Sequence, residues 1–285
     1  MLGLIKFSLK TNMNKVVLRV WGGIGNQMFI YAFARFLSIK YKKTISVFLE
    51  IYSGFSNDAY GRVYRLNNFD TKITIEKRLF LLIVFILRRI PFLAKRISTH
   101  CKLLIEDETT TFSKIEKIIC NTKYTYLEGY WQTINFNDIR DVLLSEFTFK
   151  LDDNPIYFRI ENQITNTNSV AIHIRRILYD TISFDYYIKA ISFMQNHIPD
   201  CIFYVFSDDI DYCKRQIGNS KQFVFIENLP NEMFDLKLMS LCKHFIIANS
   251  SFSWWGAWLS ISKDKIVIMP REYLNDNMTG TVLCF

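Results

Sequence analysis

The sequence lacks three features that define whole classes of protein. Its six cysteines form no CxxC pair and no metal-like cluster, which argues against a disulfide framework and against a structural zinc site. The apolar run Leu79 to Leu87 ends at Arg88 and Arg89, so it is shorter than the roughly 20 apolar residues that span a bilayer. Met1 to Lys15 contains no continuous apolar segment of the secretory type. We therefore expect a cytoplasmic protein with reduced thiols.

Acidic residues are absent from residues 77–102, although seven Lys and Arg side chains lie there and the whole chain has a formal net charge of +8. This segment is also apolar, and a basic, apolar helix is typical of a peripheral contact with an anionic membrane surface. A core helix whose Lys and Arg head groups reach water is the alternative. The chain contains no recognisable nucleic-acid-binding module, so we expect no nucleic-acid partner.

Strand and helix patterns alternate along most of the chain. Half of its 285 residues are hydrophobic, which is enough for two domains of roughly 100–150 residues each. We place the domains at residues 1–155 and 156–285, because residues 154–168 are polar and rich in Asn. The alternation predicts an α/β fold with parallel sheets, in which ligands bind at the carboxyl ends of the strands.

A glycine-rich loop, Gly22-Gly23-Ile24-Gly25-Asn26-Gln27, joins the predicted strand 16–21 to the predicted helix 26–41. Backbone N–H groups at such a helix start can meet phosphate oxygens, and glycine permits a close approach. The dinucleotide fingerprint G-x-G-x-x-G is incomplete here, because its last position is Met28. The alternative to a ligand-binding loop is a tight turn.

Two basic residues end the first strand of the second domain, in the stretch His173-Ile174-Arg175-Arg176. Guanidinium groups stay charged and bind phosphate oxygens in a forked geometry, so this pair is suited to a leaving diphosphate. The alternatives are a surface salt bridge for Arg176 and a hydrogen-bonded core histidine for His173.

Two further strand ends carry polar residues. Ser207-Asp208-Asp209 offers a carboxylate to a base or a ribose, and a helix N-cap is the alternative. The second stretch predicts an anion site of hydroxyls and N–H groups at a helix start, and it consists of Asn249, Ser250, Ser251, Phe252 and Ser253. The three strand ends together predict a site for a nucleotide diphosphate.

Four stretches resemble the bacterial α-1,2-fucosyltransferases, glycosyltransferase family 11: Gly22 to Ala32, Leu127 to Gln132, His173 to Arg176, and Leu238 to Leu259. The resemblance implies a GT-B-like pair of Rossmann-type domains with an interdomain cleft, an inverting reaction, GDP-fucose as donor, a terminal galactoside as acceptor, and no required metal or cofactor. It assigns the nucleoside to His173 and Asp208, and the phosphates to Arg175. The donor would also meet Gly23, Gly25, Asn26 and Gln27 from the first domain, and Asn249, Ser250, Ser251, Phe252 and Ser253 from the second.

The chain departs from the family pattern after Arg176. The family continues this motif with Gly-Asp-Tyr, whereas Ile177, Leu178 and Tyr179 stand here. We therefore assign catalysis to Arg175, Arg176 and Asp180, and either Asp180 or Asp185 could replace the missing carboxylate. The general base is open, and its candidates are Asp58, Glu128, Asp180 and Asp185.

Two alternative functions follow from single features. The glycine loop followed by Glu50 would suit an NAD-dependent oxidoreductase, although Met28 counts against it. The missing carboxylate at Leu178 would suit a catalytically weak membrane-surface scaffold with a transferase fold. The function that we predict is transfer of fucose to a galactose-terminated surface glycan, such as an O-antigen or a capsule. A lipid-linked glycan is one candidate acceptor.

Overall fold

A computed structural model describes residues 15–41, 44–49, 61–72, 74–76, 101–176, 182–218, 220–271 and 278–285. These residues form two compact units, each built on one sheet. The described residues of the first unit fall within Met1–Gly22, Phe29–Tyr64 and Lys72–Phe136, and those of the second within Gly23–Met28, Arg65–Thr71 and Asn137–Phe285. The glycine loop thus belongs mainly to the second unit, and the main division lies at residue 136, earlier than the predicted boundary at 155.

The first unit contains a five-stranded sheet in the order β3-β2-β1-β5-β4, with every described pair parallel. Its central strand is buried from Val16 to Leu18, as expected for a parallel sheet that is covered on both faces. The strands are β1 (Lys15–Arg19), β2 (Thr44–Phe48), β3 (Thr74–Ile75), β4 (Cys101–Ile105) and β5 (Tyr124–Glu128).

The long helix α1 (Ile24–Tyr41) follows β1 after Gly22, whose φ of 78° is in the left-handed region that favours glycine. All residues from Met28 to Ala34 are fully buried, which explains why this helix is apolar around most of its circumference. The helix α2 (Phe112–Asn121) precedes β5 and begins at Thr111, whose side chain accepts a hydrogen bond from the Lys114 amide. The predicted strand 16–21 and helix 26–41 correspond to β1 and α1.

The second unit contains a six-stranded sheet in the order β11-β10-β9-β6-β7-β8, also parallel throughout. Its strands are β6 (Asn168–Ile174), β7 (Cys201–Ser207), β8 (Phe223–Phe225), β9 (His244–Ile246), β10 (Ile266–Met269) and β11 (Thr281–Cys284). Its further helices are α3 (Arg140–Glu146), α4 (Pro155–Thr165), α5 (Phe184–His197), α6 (Ile210–Ile217), α7 (Glu232–Leu241) and α8 (Ser251–Leu259). The prediction of two parallel-sheet α/β domains is confirmed.

The Asn-rich stretch that predicted a domain boundary is mostly the helix α4. Asn154 is its N-cap and accepts a hydrogen bond from the Tyr157 amide, and Pro155 occupies the first helical position, where its missing N–H costs nothing. Tyr157, Ile160 and Ile164 are buried at helical spacing. The polar residues of this stretch therefore cover the outer face of a helix and do not form a linker.

The predicted membrane-surface segment, residues 77–102, lies mostly outside the described residues, and Cys101 and Lys102 begin the strand β4. The strand β3 precedes this segment in the chain. Within the described ranges, no helix is both long and apolar enough to cross a membrane.

Candidate active site

The candidate site lies at the point in the second sheet where the order of successive strands reverses. From β6 the chain adds β7 and β8 on one side, and it then adds β9, β10 and β11 on the other. Because β6 and β9 are parallel neighbours, the residues after Ile174 and after Ile246 emerge at the same edge. Open α/β sheets bind their ligands at such a switch point. The sheet therefore brings the arginine pair and the stretch 249–253 together.

Asp208 holds the end of β6 in place. Its Oδ2 atom lies 3.1 Å from Nε of Arg175, and its Oδ1 atom accepts a 2.8 Å hydrogen bond from the backbone N–H of Arg176. The side chain of Arg175 is 31% exposed, and its two Nη groups have no hydrogen-bond partner in the described part of the chain. Asp208 thus orients the guanidinium through Nε and leaves the forked end of Arg175 available for an anion.

Arg176 has different surroundings. Its guanidinium carbon lies 3.9 Å from the centroid of the Tyr212 ring in α6, a cation–π contact. The helix α6 begins at Asp209, whose side chain accepts a 2.9 Å hydrogen bond from the Tyr212 amide. Within Ser207-Asp208-Asp209, the predicted N-cap role thus belongs to Asp209. Tyr212 could not be identified from the sequence, because its contact with Arg176 depends on the pairing of β6 with β7.

His173 is a buried, neutral side chain at the end of β6. It is 5% exposed, and burial together with the neighbouring Arg175 lowers its pKa to about 3. The imidazole ring lies 5.5 Å from the Phe252 ring in α8. Its Nδ1 atom has no hydrogen-bond partner among the described residues, and such an unsatisfied buried group costs about 1–3 kcal/mol. A neutral ligand atom that hydrogen-bonds there would remove this cost.

The N-terminus of α8 is the second element that is suited to an anion. Ser250 is the N-cap, and its Oγ atom accepts a 3.3 Å hydrogen bond from the Phe252 amide. Ser253 is fully buried, and its hydroxyl donates to the backbone oxygens of Ser250 at 3.2 Å and Ala248 at 3.5 Å. A hydroxyl has one hydrogen, so Ser253 has none left for a ligand in this geometry. The N-terminal helix dipole is what this turn offers to an anion.

The first turn of α1 packs directly against this turn. A Cβ atom on Gly25 would lie 2.6 Å from the Phe252 amide nitrogen and 2.7 Å from Ser251 Oγ, which is too close for any side chain. The indole N–H of Trp255 donates a 3.0 Å hydrogen bond to the Gly25 carbonyl. By contrast, a Cβ on Gly23 would meet nothing within 4 Å. Gly25 thus brings two helix N-termini side by side, and their positive ends reinforce each other.

Gln27 and Asn26 occupy the same turn of α1. Gln27 is completely buried, and its side-chain oxygen accepts a 2.9 Å hydrogen bond from the Arg65 amide. The guanidinium of Arg65 in turn binds both carboxylate oxygens of Glu232, at 2.8 and 3.3 Å. Gln27 therefore fixes the position of this turn, while Asn26 is half-buried. Arg65 and Glu232 were missed because no local pattern marks a contact this distant in sequence.

Several predicted residues fall elsewhere. Asp180 and Asp58 lie outside the described residues, as does Leu178. Asp185 is exposed in the first turn of α5, and Glu128 forms an ion pair with Arg19 in the first unit. Among the residues with described positions, no group of three or more His, Cys, Asp or Glu side chains could hold a metal ion.

Two α/β units with parallel sheets, and a guanidinium and helix N-termini at a switch point of the second sheet, form an arrangement that is suited to an anionic ligand. The chain belongs to glycosyl transferase family 11, whose model matches residues 15–280. Two curated relatives from Escherichia coli are an O-antigen biosynthesis glycosyltransferase, WbnK, and an alpha-1,2-colitosyltransferase. WbnK is 32% identical over 90% of this chain and 94% of its own length, and the colitosyltransferase is 33% identical over 92% and 95%.

Among solved structures, the fucosyltransferase NodZ from Bradyrhizobium is similar in fold. The TM-score is 0.56, and the identity is 12% over 88% of this chain and 93% of that chain. The predicted GT-B-like arrangement of two Rossmann-type domains is confirmed by this likeness. Membership of the glycosyltransferase family also removes the oxidoreductase alternative. The glycine loop, which had suggested that alternative, contains Gly25, whose lack of a side chain allows α1 to pack against α8.

Proposed function

We propose that the protein transfers fucose from GDP-fucose to the 2-hydroxyl of a terminal galactoside in a surface glycan, with inversion at the anomeric carbon. Family membership supports glycosyl transfer. WbnK supports a glycan of the O-antigen type, and the alpha-1,2-colitosyltransferase supports an alpha-1,2 linkage. A lipid-linked glycan on the cytoplasmic side is the acceptor that we favour.

One observation carries the donor half of this proposal. The 5.5 Å contact between the His173 and Phe252 rings joins the end of β6 to the first turn of α8. We therefore assign the forked end of Arg175 and the helix N-terminus to one proposed site in the second unit. Both are suited to phosphate oxygens, so we assign them to the diphosphate. His173, neutral and buried beside them, is assigned to the nucleoside.

In the reaction that we propose, the acceptor hydroxyl oxygen forms a bond to the anomeric carbon while the bond from that carbon to the β-phosphate oxygen breaks. The electron pair of the broken bond leaves on the diphosphate. Arg175 and the α8 dipole stabilise this charge as it develops, and such pre-positioned groups are usually the largest source of catalysis. The hydroxyl proton passes to a base that we leave unassigned. No step requires a metal ion, and we expect activity to persist in excess EDTA.

The role of Arg175 is tested by Arg175→Ala with Arg215→Ala as the charge-matched control. Arg215 is exposed near the end of α6, so both variants lose one positive charge from the same unit. We expect kcat to fall about a hundredfold or more for Arg175→Ala and to stay near the wild-type value for Arg215→Ala. Wild-type turnover by Arg175→Ala would contradict the assignment.

The donor is tested by a mass-spectrometric screen of nucleotide sugars with galactose-terminated acceptors. We expect a mass increase of one deoxyhexose with GDP-fucose. Because one relative is an alpha-1,2-colitosyltransferase, GDP-colitose is the second candidate donor, and competition between the two donors gives the ratio of kcat/KM values that measures the preference. Binding of GDP without transfer from either donor would instead favour the scaffold alternative.

A further inference from the structure

A second cationic pocket lies at the opposite end of α8 from the candidate active site. It has a volume of about 210 Å³, and its lining includes the basic residues Arg140, Lys263 and Lys265 and the hydroxyls of Ser262 and Thr279. No acidic side chain is among the described residues that line it. The pocket belongs entirely to the second unit.

Two of these cations converge on one backbone oxygen. The Lys265 ammonium donates to the carbonyl oxygens of Ala257 at 2.7 Å and Ser260 at 3.0 Å, and Arg140 Nη2 donates to the same Ser260 oxygen at 3.0 Å. Neither cation forms a salt bridge with a carboxylate in the described part of the chain. The C-terminal helix dipole offsets roughly half an elementary charge, and the carboxylate of the neighbouring Asp141 interacts with Arg140, so the positive charge of the pocket is compensated only in part.

The surrounding backbone keeps this charge in place. Lys265 is 2% exposed, and its carbonyl accepts a 3.0 Å hydrogen bond from the Thr281 amide at the start of β11. Gly280 has a φ of 100°, and a Cβ there would lie 2.6 Å from Lys265 Cγ. Arg140 lies over the Trp258 ring, with its guanidinium carbon 4.6 Å from the centroid. Burial and the nearby Arg140 lower the pKa of Lys265 to about 7, so this side chain is only partly protonated at neutral pH, and a bound anion would favour its charged form.

Two hydrogen-bonding atoms of the pocket lining are unsatisfied. Arg140 Nη1 and Thr279 Oγ1 are buried and have no partner among the described residues. Native proteins pair most such groups, so these two atoms require acceptors from outside the protein chain. Oxygen atoms that carry negative charge would satisfy both donors and the excess positive charge together.

We propose that this pocket binds a phosphate group, either of a free phosphate compound or of a lipid head group. The inference does not depend on the identity of the sugar donor, because its residues are separate from those assigned to the diphosphate. Lys263 is exposed at the rim and would attract the anion, while Arg140 and Thr279 would donate hydrogen bonds to it. Ile261 is 82% exposed beside the pocket, where it could contact lipid.

Calorimetric titration of the full chain with inorganic phosphate tests the site. Thr279→Val keeps the side-chain shape but removes the donor, and we expect a three- to tenfold weaker affinity. Lys263→Ser should weaken binding in a salt-dependent manner. Arg215→Ser controls for loss of charge, and Arg175→Ala controls for phosphate bound at the candidate active site. The proposal would be overturned if Arg175→Ala abolished the affinity for phosphate. It would also be overturned if neither Thr279→Val nor Lys263→Ser changed that affinity.

Flotation with phosphatidylcholine vesicles containing phosphatidylglycerol distinguishes the two sources. Co-flotation that Thr279→Val weakens and inorganic phosphate inhibits identifies a lipid head group, and Ile261→Ser should then weaken it as well. Binding of inorganic phosphate without co-flotation identifies a free phosphate compound. Absence of both kinds of binding would overturn the proposal.

Discussion

Substitution of Gly25 by alanine tests how the candidate active site is assembled. The added methyl group would lie 2.6 Å from the Phe252 nitrogen and 2.6 Å from the Ser251 carbonyl carbon. Favourable contacts between non-bonded heavy atoms lie about 3.5–4.0 Å apart. The clashing atoms are mainly backbone, so no side-chain rotation relieves the contact. The first turns of α1 and α8 must therefore move apart by about 1 Å, a distance that follows from this contact range.

Two effects of this displacement can be estimated. Overpacking of a close contact costs about 1–3 kcal/mol of unfolding free energy, which for a chain of this length lowers Tm by roughly 2–10 °C. A misplacement of about 1 Å in a catalytic site costs about a hundredfold in rate. We therefore expect Gly25→Ala to be folded, less stable than the wild type, and about a hundredfold lower in kcat/KM.

The matched control is Gly23→Ala, because a Cβ on Gly23 would meet nothing within 4 Å. Both variants add one methyl group to the same loop, and Gly23→Ala should change stability by no more than about 0.5 kcal/mol. Thermal unfolding and turnover of both variants are measured side by side. Wild-type Tm and activity for Gly25→Ala would refute the packing argument, while equal damage in both variants would point to loop flexibility instead.

Two further predictions concern β6 and its partner strand. Asp208→Asn should lower kcat about tenfold with little change in donor KM. It should have no further effect in an Arg175→Ala background, because Asp208 acts through that arginine. A large rise in donor KM alone would indicate that Asp208 contacts the nucleoside instead. His173 has a folded pKa of about 3, below its unfolded value of about 6.5. As the pH falls, the unfolded state therefore binds a proton at this histidine before the folded state does. Chemical denaturation should show that the wild type loses about 2 kcal/mol more unfolding free energy than His173→Gln between pH 7.5 and pH 5. Equal losses would contradict a neutral, buried imidazole.

Much of the second sheet could be predicted from the sequence. The runs that became β6, β7, β9 and β10 are short, apolar and separated by helical spacing, as expected for buried parallel strands. The polar residues after β6 and β9 could be placed at one edge because parallel strands share that edge. The helix α4 was missed although Asn154 and Pro155 are typical start signals, so that error came from reading a polar stretch as a linker.

The contacts that define the candidate site could not be predicted in the same way. The sequence predicts that Asp208 follows a strand, but only the pairing of β6 with β7 places it against Arg175. Gly25 was assigned to a ligand, yet its small size is required by Ser251 and Phe252 in a helix far along the chain. Side-chain contacts between distant segments depend on tertiary packing, which local periodicity does not encode.

The central claim is that the end of β6 and the start of α8 bind one diphosphate, and a crystal structure of the protein with GDP tests it most directly. We predict phosphate oxygens within about 2.7–3.2 Å of an Arg175 Nη group and of a backbone amide in the first turn of α8. A diphosphate that contacts neither element, or contacts one of them while the other faces solvent, would contradict the claim.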